Sequence, residues 1–445
     1  MTNLRHLEKI VFYFPWREVS GGPYYLTRLA EELAKDPNYK VYYTDYDPGL
    51  SDELLTTGRV EKIIVSEKDF GIGNIAHEPV TLITPIYWAC WLPSLHPKSK
   101  VLFFNWHICS MPLLKKQWGV NKKQMNLFLQ LVRSKDAVFF CDYSHWLGQN
   151  TKKILFNKKY VPIPLPPKFC SAKPELISDS EMRIIALGRL CADKIYSFIN
   201  LLDNFQKVET SLKKYFYIIG DGPEKDLIKV ENYPDITIHF EGTLTNEDLV
   251  SALTEKGDIL FAMGTSVLEG AALKLPSVII PHNMHAMDCD RFVYLQDTRD
   301  YCLGWYDTQM DELSLPEYSL GEILKQVYEK GEKKNLGELA FEYYKSHHSI
   351  ESAAKSLKSC LNDTTLTVKS FLALTKAFFF KHRRYIIFGL TIIKTQKNLQ
   401  GEILVYVFKL PLFKIKTQGG TSRFSFNTQW VDKLFAKLTK NPSNL

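Results

Sequence analysis

Short apolar runs, each bounded by glycine or polar residues, recur along the first third of the chain. The first run is followed by the pair Gly21 and Gly22 and then by apolar residues at helical spacing. Such a stripe predicts an amphipathic helix, and the runs predict buried strands. The predicted strands are 10–14, 41–44, 62–65, 80–84, 101–105 and 137–141. Their alternation with helical stretches predicts a mostly parallel, doubly wound α/β sheet.

A proline-rich stretch divides the chain into two such series. The segment PIPLPPKF, which follows Val161, is extended because proline cannot continue a helix, and it predicts a hinge. A second series of strand-like runs follows, at 183–187, 216–219, 236–240, 258–262 and 277–280. The sequence therefore predicts two Rossmann-like α/β domains, over residues 1–162 and 163–362, with a ligand cleft at the carboxyl ends of their strands. Residues 363–445 are a separate tail.

The loop after the run at 258–262 carries the first candidate site. Gly264, Thr265 and Ser266 occupy this loop, and Glu269 lies in the first turn of the helix that follows. Glycine lets the backbone approach a ligand closely, and free amides at a helix start favour an anion. A carboxylate beside an anion site suits a polyol such as ribose. The alternative is local: Thr265 or Ser266 caps the helix and Glu269 completes a capping box.

Two further clusters of the second series follow strand ends. Arg189 and Lys194 come just after Gly188, and two cations there suit a diphosphate, because arginine can bind two oxygens and lysine adds a point charge. Solvated charges at a helix start are the alternative. In the second cluster, Gly222 ends a strand region and Pro223 suits the first turn of a helix. A GxGxxG dinucleotide pattern is not completed there.

His107 is the candidate on the first-domain side of the cleft. It follows the predicted strand at 101–105, where a histidine could contact substrate or transfer protons. A structural histidine with satisfied hydrogen bonds is the alternative.

Charge is distributed unevenly along the 445 residues. Residues 363–445 contain 14 Lys and Arg against 3 Asp and Glu, whereas the rest of the chain contains 42 against 46. Basic residues in the tail alternate with apolar runs too short to cross a bilayer, which predicts a segment lying on an anionic membrane surface. The alternative is a basic β-hairpin packed on the body, and nucleic acid is not predicted as a partner because no nucleic-acid motif accompanies the charge. The tail also contains a near repeat, in which Phe388, Leu390 and Lys394 recur as Phe408, Leu410 and Lys414.

The start of the chain and its cysteines bear on the compartment. The sequence MTNLRHLEKIVFYF lacks the charged segment, long apolar run and small-residue cleavage site of a signal peptide. Eight cysteines are scattered without a CxxC pair, which favours buried thiols in a reducing compartment over disulfides or zinc ligands. Together these features predict a cytoplasmic protein.

The order of these segments resembles that of the GT-B glycosyltransferases, specifically the retaining family 4 type that builds bacterial surface polysaccharides. The resemblance is carried by SGGPYYLTRLAEELA, GRLCADK, IIGDGPEKDLI, FEGTLTNEDLVSAL and GTSVLEGAALKLPSVII. It implies two Rossmann-like domains that face a cleft, with the acceptor bound to the first domain, 1–162, and a nucleotide-sugar bound to the second, 163–362. It further implies transfer of the sugar to a lipid-linked or growing glycan with retention at the anomeric carbon. No metal and no cofactor are implied.

The resemblance also implies roles for individual residues. The implied catalytic residues are Arg189 and Lys194, which would neutralise the leaving diphosphate, Glu269, which would bind the ribose hydroxyls, and His107, which would lie near the transferred sugar. The implied donor-binding residues are Gly21, Gly22, Gly188, Gly222, Pro223, Gly264, Thr265, Ser266, Leu268 and Glu269. The tail segments FGLTIIK and FKLPLFKIK resemble terminal segments of capsule and lipopolysaccharide transferases, which implies a peripheral position on the inner face of the cell membrane.

One position departs from the family pattern. The family commonly has two glutamates in an E-x7-E arrangement across the loop, and the first of these positions is occupied by Phe261. In the family that carboxylate lies near the donor sugar, so the departure bears on the identity of the donor. Two alternatives to a transferase stay open: a nucleotide-sugar epimerase of the same architecture, and a non-catalytic subunit of glycan assembly.

Overall fold

The computed structural model describes residues 7–17, 21–66, 69–106, 110–149, 155–166, 177–376, 383–387, 390–397, 402–407, 410–418 and 421–426. Two α/β units, each with a six-stranded sheet, lie in the part up to residue 376, and a third sheet lies within 383–426. Three residues singled out in the sequence fall outside the described ranges: His107, Phe388 and Phe408.

The first unit is built on a parallel sheet. Its elements are β1 (Glu8–Phe12), α1 (Gly21–Leu33), β2 (Tyr39–Asp45), α2 (Ser51–Leu54), β3 (Glu61–Ile64), β4 (Thr81–Pro85), β5 (Lys100–Asn105), α3 (Ser110–Trp118), α4 (Lys122–Ser134), β6 (Val138–Phe140) and α5 (Tyr143–Gln149). The strand order is β3-β2-β1-β4-β5-β6. Strand β4 is buried along its whole length, which explains why its apolar run lacks the polar alternation of a one-sided sheet.

The second unit repeats this plan. Its elements are β7 (Glu181–Leu187), α6 (Ile195–Lys207), β8 (Lys213–Ile219), β9 (Ile236–Gly242), α7 (Asn246–Glu255), β10 (Ile259–Ala262), α8 (Thr265–Ala271), β11 (Ser277–Ile279), β12 (Val293–Tyr294), α9 (Met310–Leu313), α10 (Leu320–Leu324), α11 (Lys333–His347) and α12 (Ile350–Asp363). The order is β12-β11-β10-β7-β8-β9, and among these strands β12 alone is antiparallel to its neighbour. The predicted fold class, α/β with two doubly wound units, is confirmed.

The chain returns to the first unit after α11. Helix α12 packs on α1, and its Leu357 is fully buried in the core of the first unit. The next helix, α13 (Val368–Lys376), continues this packing, since the ring of Phe371 lies 6.3 Å from that of Phe103. The chain therefore packs on the first unit as far as α13. The domain boundaries given above stay a prediction.

The proline-rich linker is extended and is held by both units. From α1, the hydroxyl of Tyr25 donates to the carbonyl of Val161 at 2.7 Å, and the guanidinium of Arg28 donates to the carbonyl of Pro164 at 2.9 Å. From α11, the hydroxyl of Tyr344 donates to the next carbonyl of the linker at 3.3 Å. The linker is therefore hydrogen-bonded to α1 of the first unit and to α11 of the second.

The tail contains a five-stranded antiparallel sheet with its strands in sequential order. The strands are β13 (Arg383–Ile387), β14 (Leu390–Lys397), β15 (Glu402–Val407), β16 (Leu410–Gln418) and β17 (Thr421–Phe426). Leu390 and Leu410 begin β14 and β16, so the near repeat marks alternate strands of one meander. The alternative drawn from the sequence was a β-hairpin, and the structure has a sheet of five strands in its place. Membrane association stays a prediction. Within the described ranges, no helix combines the length and the apolar character needed to cross a membrane.

Candidate functional site

The carboxyl ends of both parallel sheets border one cleft. The strand order reverses its direction between β1 and β4 in the first sheet, and between β7 and β10 in the second. Doubly wound sheets bind ligands at the carboxyl ends of their strands at such points. The two units touch beside this region, where the hydroxyl oxygen of Ser144 lies 3.0 Å from the carbonyl oxygen of Gly304. We define the cleft as the region bounded by the first turn of α1, by α5, and by the loops after β7, β10 and β11.

Gly264 links β10 to α8 in a conformation that requires glycine. Its φ of 64° and ψ of −142° lie outside the regions open to other L-residues. Its amide donates to the carbonyl of Leu303 at 2.6 Å, so an anion could be met only by the amides of Thr265 and Ser266, the first residues of α8. This helix has no side-chain cap. The capping-box alternative is therefore wrong, and the two hydroxyls are not used as caps.

Glu269 of α8 lies opposite Arg28 of the first unit. Burial lowers the pKa of Arg28, and the carboxylate of Glu269 acts in the opposite direction. The same guanidinium donates to the carbonyl of Pro164 in the linker. The carboxylate predicted to bind ribose is therefore balanced by a cation from the other unit, which the sequence did not indicate.

Arg189 and Lys194 lie together after β7. Arg189 is exposed, whereas Lys194 is half-buried at the start of α6. Burial lowers the pKa of Lys194; the neighbouring Asp193 acts against this shift, and the charge of Arg189 adds to it. An anion bound between two cations removes such a repulsion and favours their charged forms. The structure thus brings the two predicted cations together beside Gly188, on the cleft side of the second sheet.

The glycines after β8 hold the neighbouring loop against these cations. A Cβ added to Gly222 would collide with the carbonyl oxygen of Leu190, and the amide of Leu190 donates to the carbonyl of Asp221 at 3.0 Å. Gly222 is therefore required for the close approach of two backbone segments. Pro223 precedes a 3-10 turn, Lys225–Leu227, where the sequence predicted a helix start.

The pair Gly21 and Gly22 begins α1 at the opposite wall of the cleft. A Cβ added to Gly22 would collide with the indole ring of Trp106, whereas a Cβ added to Gly21 would meet no atom within 4 Å. Position 22 therefore requires glycine, because the indole ring of Trp106 occupies the space of a side chain. The space beside Gly21 is open.

Leu268 and Phe261 face the core of the second unit. Both side chains are fully buried. Phe261 lies inside β10 and packs on Phe292, with ring centroids 5.7 Å apart. The position at which the family commonly has a glutamate is therefore a core position in this chain. A donor contact of Leu268 could come only from its backbone.

His282 follows β11 and lies beside Lys194. Its ring centroid is 4.1 Å from that of Tyr306, and its Nδ1 atom is buried without a hydrogen-bond partner in the described part of the chain. Burial lowers the pKa of His282 to about 4, and the charge of Lys194 contributes to the shift. The imidazole is therefore neutral near pH 7, and its buried Nδ1 atom makes no hydrogen bond in the described part of the chain.

His145 faces His282 from the first unit. Its Nδ1 atom lies 2.7 Å from a carboxylate oxygen of the buried Asp142, which also accepts a hydrogen bond from Ser144 at 2.8 Å. Burial disfavours the charged imidazole, but the carboxylate outweighs it, and the carbonyl of Trp106 assists, so the pKa of His145 is raised. The charge of His145 is in turn one cause of the lowered pKa of His282. The cleft thus contains one histidine whose pKa is raised and one whose pKa is lowered.

No protein-family model matches this sequence, and no curated protein matches it. Solved structures are similar at low identity. HepE of Anabaena, crystallised with UDP and glucose, is 11% identical, with a TM-score of 0.48 over 80% of this chain and 99% of that chain. The lipopolysaccharide outer core galactosyltransferase WaaB is 12% identical, with a TM-score of 0.47 over 80% and 99%. The N-terminal domain of Candida albicans trehalose-6-phosphate phosphatase is 12% identical, with a TM-score of 0.49 over 82% and 99%. No family assignment follows from similarities at this level.

Four cleft residues were missed in the sequence, and their signals differ. Asp142 and His145 come directly after a predicted strand with the i, i+3 spacing of a helix start, so the pair was open to detection. His282 follows the strand-like run at 277–280 in the same manner. Arg28 is distant in sequence from Glu269, and only the assembled fold brings the two together.

Proposed function

We propose that this protein is a retaining glycosyltransferase of GT-B architecture, which transfers a sugar from a nucleotide-sugar to a lipid-linked or growing surface glycan. The proposal is carried by Arg189 and Lys194, two neighbouring cations at the carboxyl end of the central strand β7. Burial of Lys194 and the like charge of Arg189 together outweigh the opposite charge of Asp193, so a bound anion would stabilise the charged lysine. A diphosphate supplies the required charge at a position where doubly wound sheets bind nucleotides.

The two cations account for catalysis in this proposal. The bond from the anomeric carbon to the diphosphate oxygen breaks, and an acceptor hydroxyl oxygen bonds to that carbon on the same face. Negative charge grows on the diphosphate, which takes up the hydroxyl proton. Arg189 and Lys194 therefore stabilise the transition state more than the bound donor. Glu269 would bind the ribose hydroxyls, and His107 would lie near the transferred sugar.

A thermal-shift panel of nucleotide-sugars tests the proposal. A ligand that binds only the folded state raises its stability, by about 2.7 kcal/mol at 100 times its Kd. We expect at least one nucleotide-sugar to raise the Tm of the wild type, and the Lys194→Ala variant to lose this rise. Lys207→Ala, at the exposed far end of α6, is the matched control and should retain it. A panel without any rise in Tm would contradict the proposal.

The two alternatives to a transferase predict different results when the protein is tested with nucleotide-sugars. An epimerase converts the donor into its isomer without an acceptor, which NMR of the anomeric proton detects. A non-catalytic assembly subunit binds no nucleotide. The proposed transferase instead releases nucleoside diphosphate and forms a product with the anomeric configuration of the donor.

We also propose that the basic tail attaches the protein to the anionic inner face of the cell membrane, which makes it a cytoplasmic, peripheral protein. A truncation that tests this must begin after Lys376, because Leu366 and Phe371 are buried in the body. We expect the full chain, but not the truncated one, to float with anionic vesicles, while neither floats with neutral vesicles. Equal flotation of both proteins would contradict this role.

A further inference from the structure

The carboxyl edge of the first sheet carries aromatic side chains from four neighbouring strands. They follow β2, β1, β4 and β5, which is also their order across the sheet. The six residues are Tyr46 after β2, Phe14 and Trp16 after β1, Tyr87 and Trp88 after β4, and Trp106 after β5. We call these residues the aromatic row.

Phe14 is the centre of the row. Its ring is 2% exposed and stacks on Trp16, with centroids 5.4 Å apart and an interplanar angle of 9°. The indoles of Trp88 and Trp106 meet it edge to face, at 5.4 Å and 5.2 Å. All three indoles are only half-buried. The buried centre therefore fixes the three indoles in place, and each keeps part of its surface accessible.

The inner part of the row is almost without charge. Arg17 is the only charged residue in the segments 13–17, 85–92 and 104–106, and its guanidinium lies 4.1 Å from the centroid of the Tyr46 ring. Tyr46, at the outer end of the row, lies between Asp45 and Asp47. Tyr87 stays neutral, since burial raises its pKa, while the indole of Trp106 donates a hydrogen bond to its hydroxyl. The surface therefore suits an uncharged ligand and offers little to a phosphate.

The inner end of the row lies at the predicted reaction centre. Trp106 contacts Gly22 at the start of α1, and its carbonyl faces the imidazole of His145. His145 in turn acts on the pKa of His282, which is also shifted by Lys194. The row thus begins opposite the cations of the second unit and leads away from them along the first sheet.

We propose that the aromatic row binds the saccharide part of the acceptor, an inference that rests on the proposed glycosyl transfer. One face of a pyranose ring presents mainly C–H groups, which pack flat against an aromatic ring. Tryptophan and tyrosine supply large, rigid contact areas at a low cost in side-chain entropy. A donor held by Arg189 and Lys194 leaves this wall of the cleft for the second substrate.

Transfer to a panel of neutral methyl glycosides and disaccharides tests the assignment. Nucleoside diphosphate release above the rate of donor hydrolysis measures transfer by the full-length protein. We expect Trp88→Ala and Trp16→Ala to raise the KM for the saccharide about tenfold, which corresponds to about 1.4 kcal/mol. The rate of donor hydrolysis and the KM for the donor should each change less than about twofold. Trp88→Phe should recover most of the affinity, because it keeps an aromatic face.

Tyr215→Ala is the matched control, because Tyr215 is a half-buried aromatic residue in a stack with Tyr217 on the second unit. It should leave the KM for the saccharide unchanged. The proposal is overturned if the row variants keep the wild-type KM, or if no saccharide of the panel stimulates release although the donor is hydrolysed. Competition by octanol but not by methyl glycosides would also overturn it, since an alkyl chain would then occupy the row. If the protein binds no nucleotide, the proposed glycosyl transfer itself is contradicted. This outcome is distinct from a failure of the aromatic-row proposal alone.

Discussion

The two strand edges that border the cleft share a backbone plan but differ in the groups that they present. The edge of the second unit carries Arg189 and Lys194 beside glycine turns. The edge of the first unit carries the aromatic row, and at its end the imidazole of His145 lies 2.7 Å from the carboxylate of Asp142. One edge therefore has two neighbouring cations, with Asp193, Asp221 and Glu224 in the same loops, whereas the other has few charged residues.

This difference shows where the ligand preference of a doubly wound fold resides. Parallel strands end with equivalent backbone geometry, so the sheet alone selects no ligand. The residues one to three positions beyond each strand make the selection. In this molecule we propose that they favour an anion on the second unit and an uncharged, flat ligand on the first, which agrees with the proposed transfer from a nucleotide-sugar to a glycan.

Removal of the cations should have the largest effect. We expect Arg189→Ala or Lys194→Ala to lower kcat by about 100-fold or more, because each removes a preorganised charge at the leaving group. The fold should persist, since Arg189 is exposed and Lys194 is half-buried. Initial rates of nucleoside diphosphate release measure the loss, with Lys207→Ala as the control. Near-normal kcat in either variant would contradict the proposed role of these two cations in catalysis.

Acidification should separate the two cleft histidines. The pKa of His282 falls to about 4 on folding through burial and the charge of Lys194, whereas that of His145 is raised by Asp142. Between pH 6.5 and 4 the unfolded chain binds a proton at His282 before the folded chain does, so stability falls as the pH falls. The loss is at most about 3 kcal/mol. His145 has the opposite sign: its contribution is present at low pH and is lost as the pH rises through its folded pKa.

Urea denaturation between pH 4 and 7 measures these contributions. The His282→Asn variant should lose less stability on acidification than the wild type, and NMR of the imidazole resonances should show His145 titrating above His282. Equal titration of the two histidines, or an unchanged acid response in the variant, would contradict the assignment of charge to the two edges.

Much of this comparison was predictable from the sequence, because parallel sheets have a simple pattern. Their strands are buried on both faces, so they appear as apolar runs, and the polar residues just beyond them must lie at one edge. Arg189, Lys194 and Gly264 were found in this way. The aromatic row has the same signal, in FYFPW, IYW and FFNW, each at the end of a predicted strand.

The rest depends on contacts between distant parts of the chain. Arg28 approaches Glu269 only because α1 and α8 face each other across the cleft. Its spacing from Glu269 puts Phe261 at the position of the family's first glutamate, and the strand places this residue in the core. Spacing alone does not tell a loop residue from the last residues of a buried strand. The pairing of the five tail strands was not predicted either. The near repeat gives a spacing along the chain, but it does not show which strands pair.

The glycine pairs at the two edges allow a smaller and more local test. Gly222→Ala should lower the free energy of unfolding by about 2 kcal/mol, because the new Cβ collides with the backbone carbonyl of Leu190, which cannot rotate away. Gly21→Ala, where the space is open, should change stability little and is the matched control. Urea denaturation gives both values, and nucleotide affinity shows whether the displaced loop carries Arg189 with it. If the charged edge depends on this backbone contact, Gly222→Ala weakens nucleotide binding. Wild-type affinity in the Gly222→Ala variant would mean that the cations hold their positions without the turn.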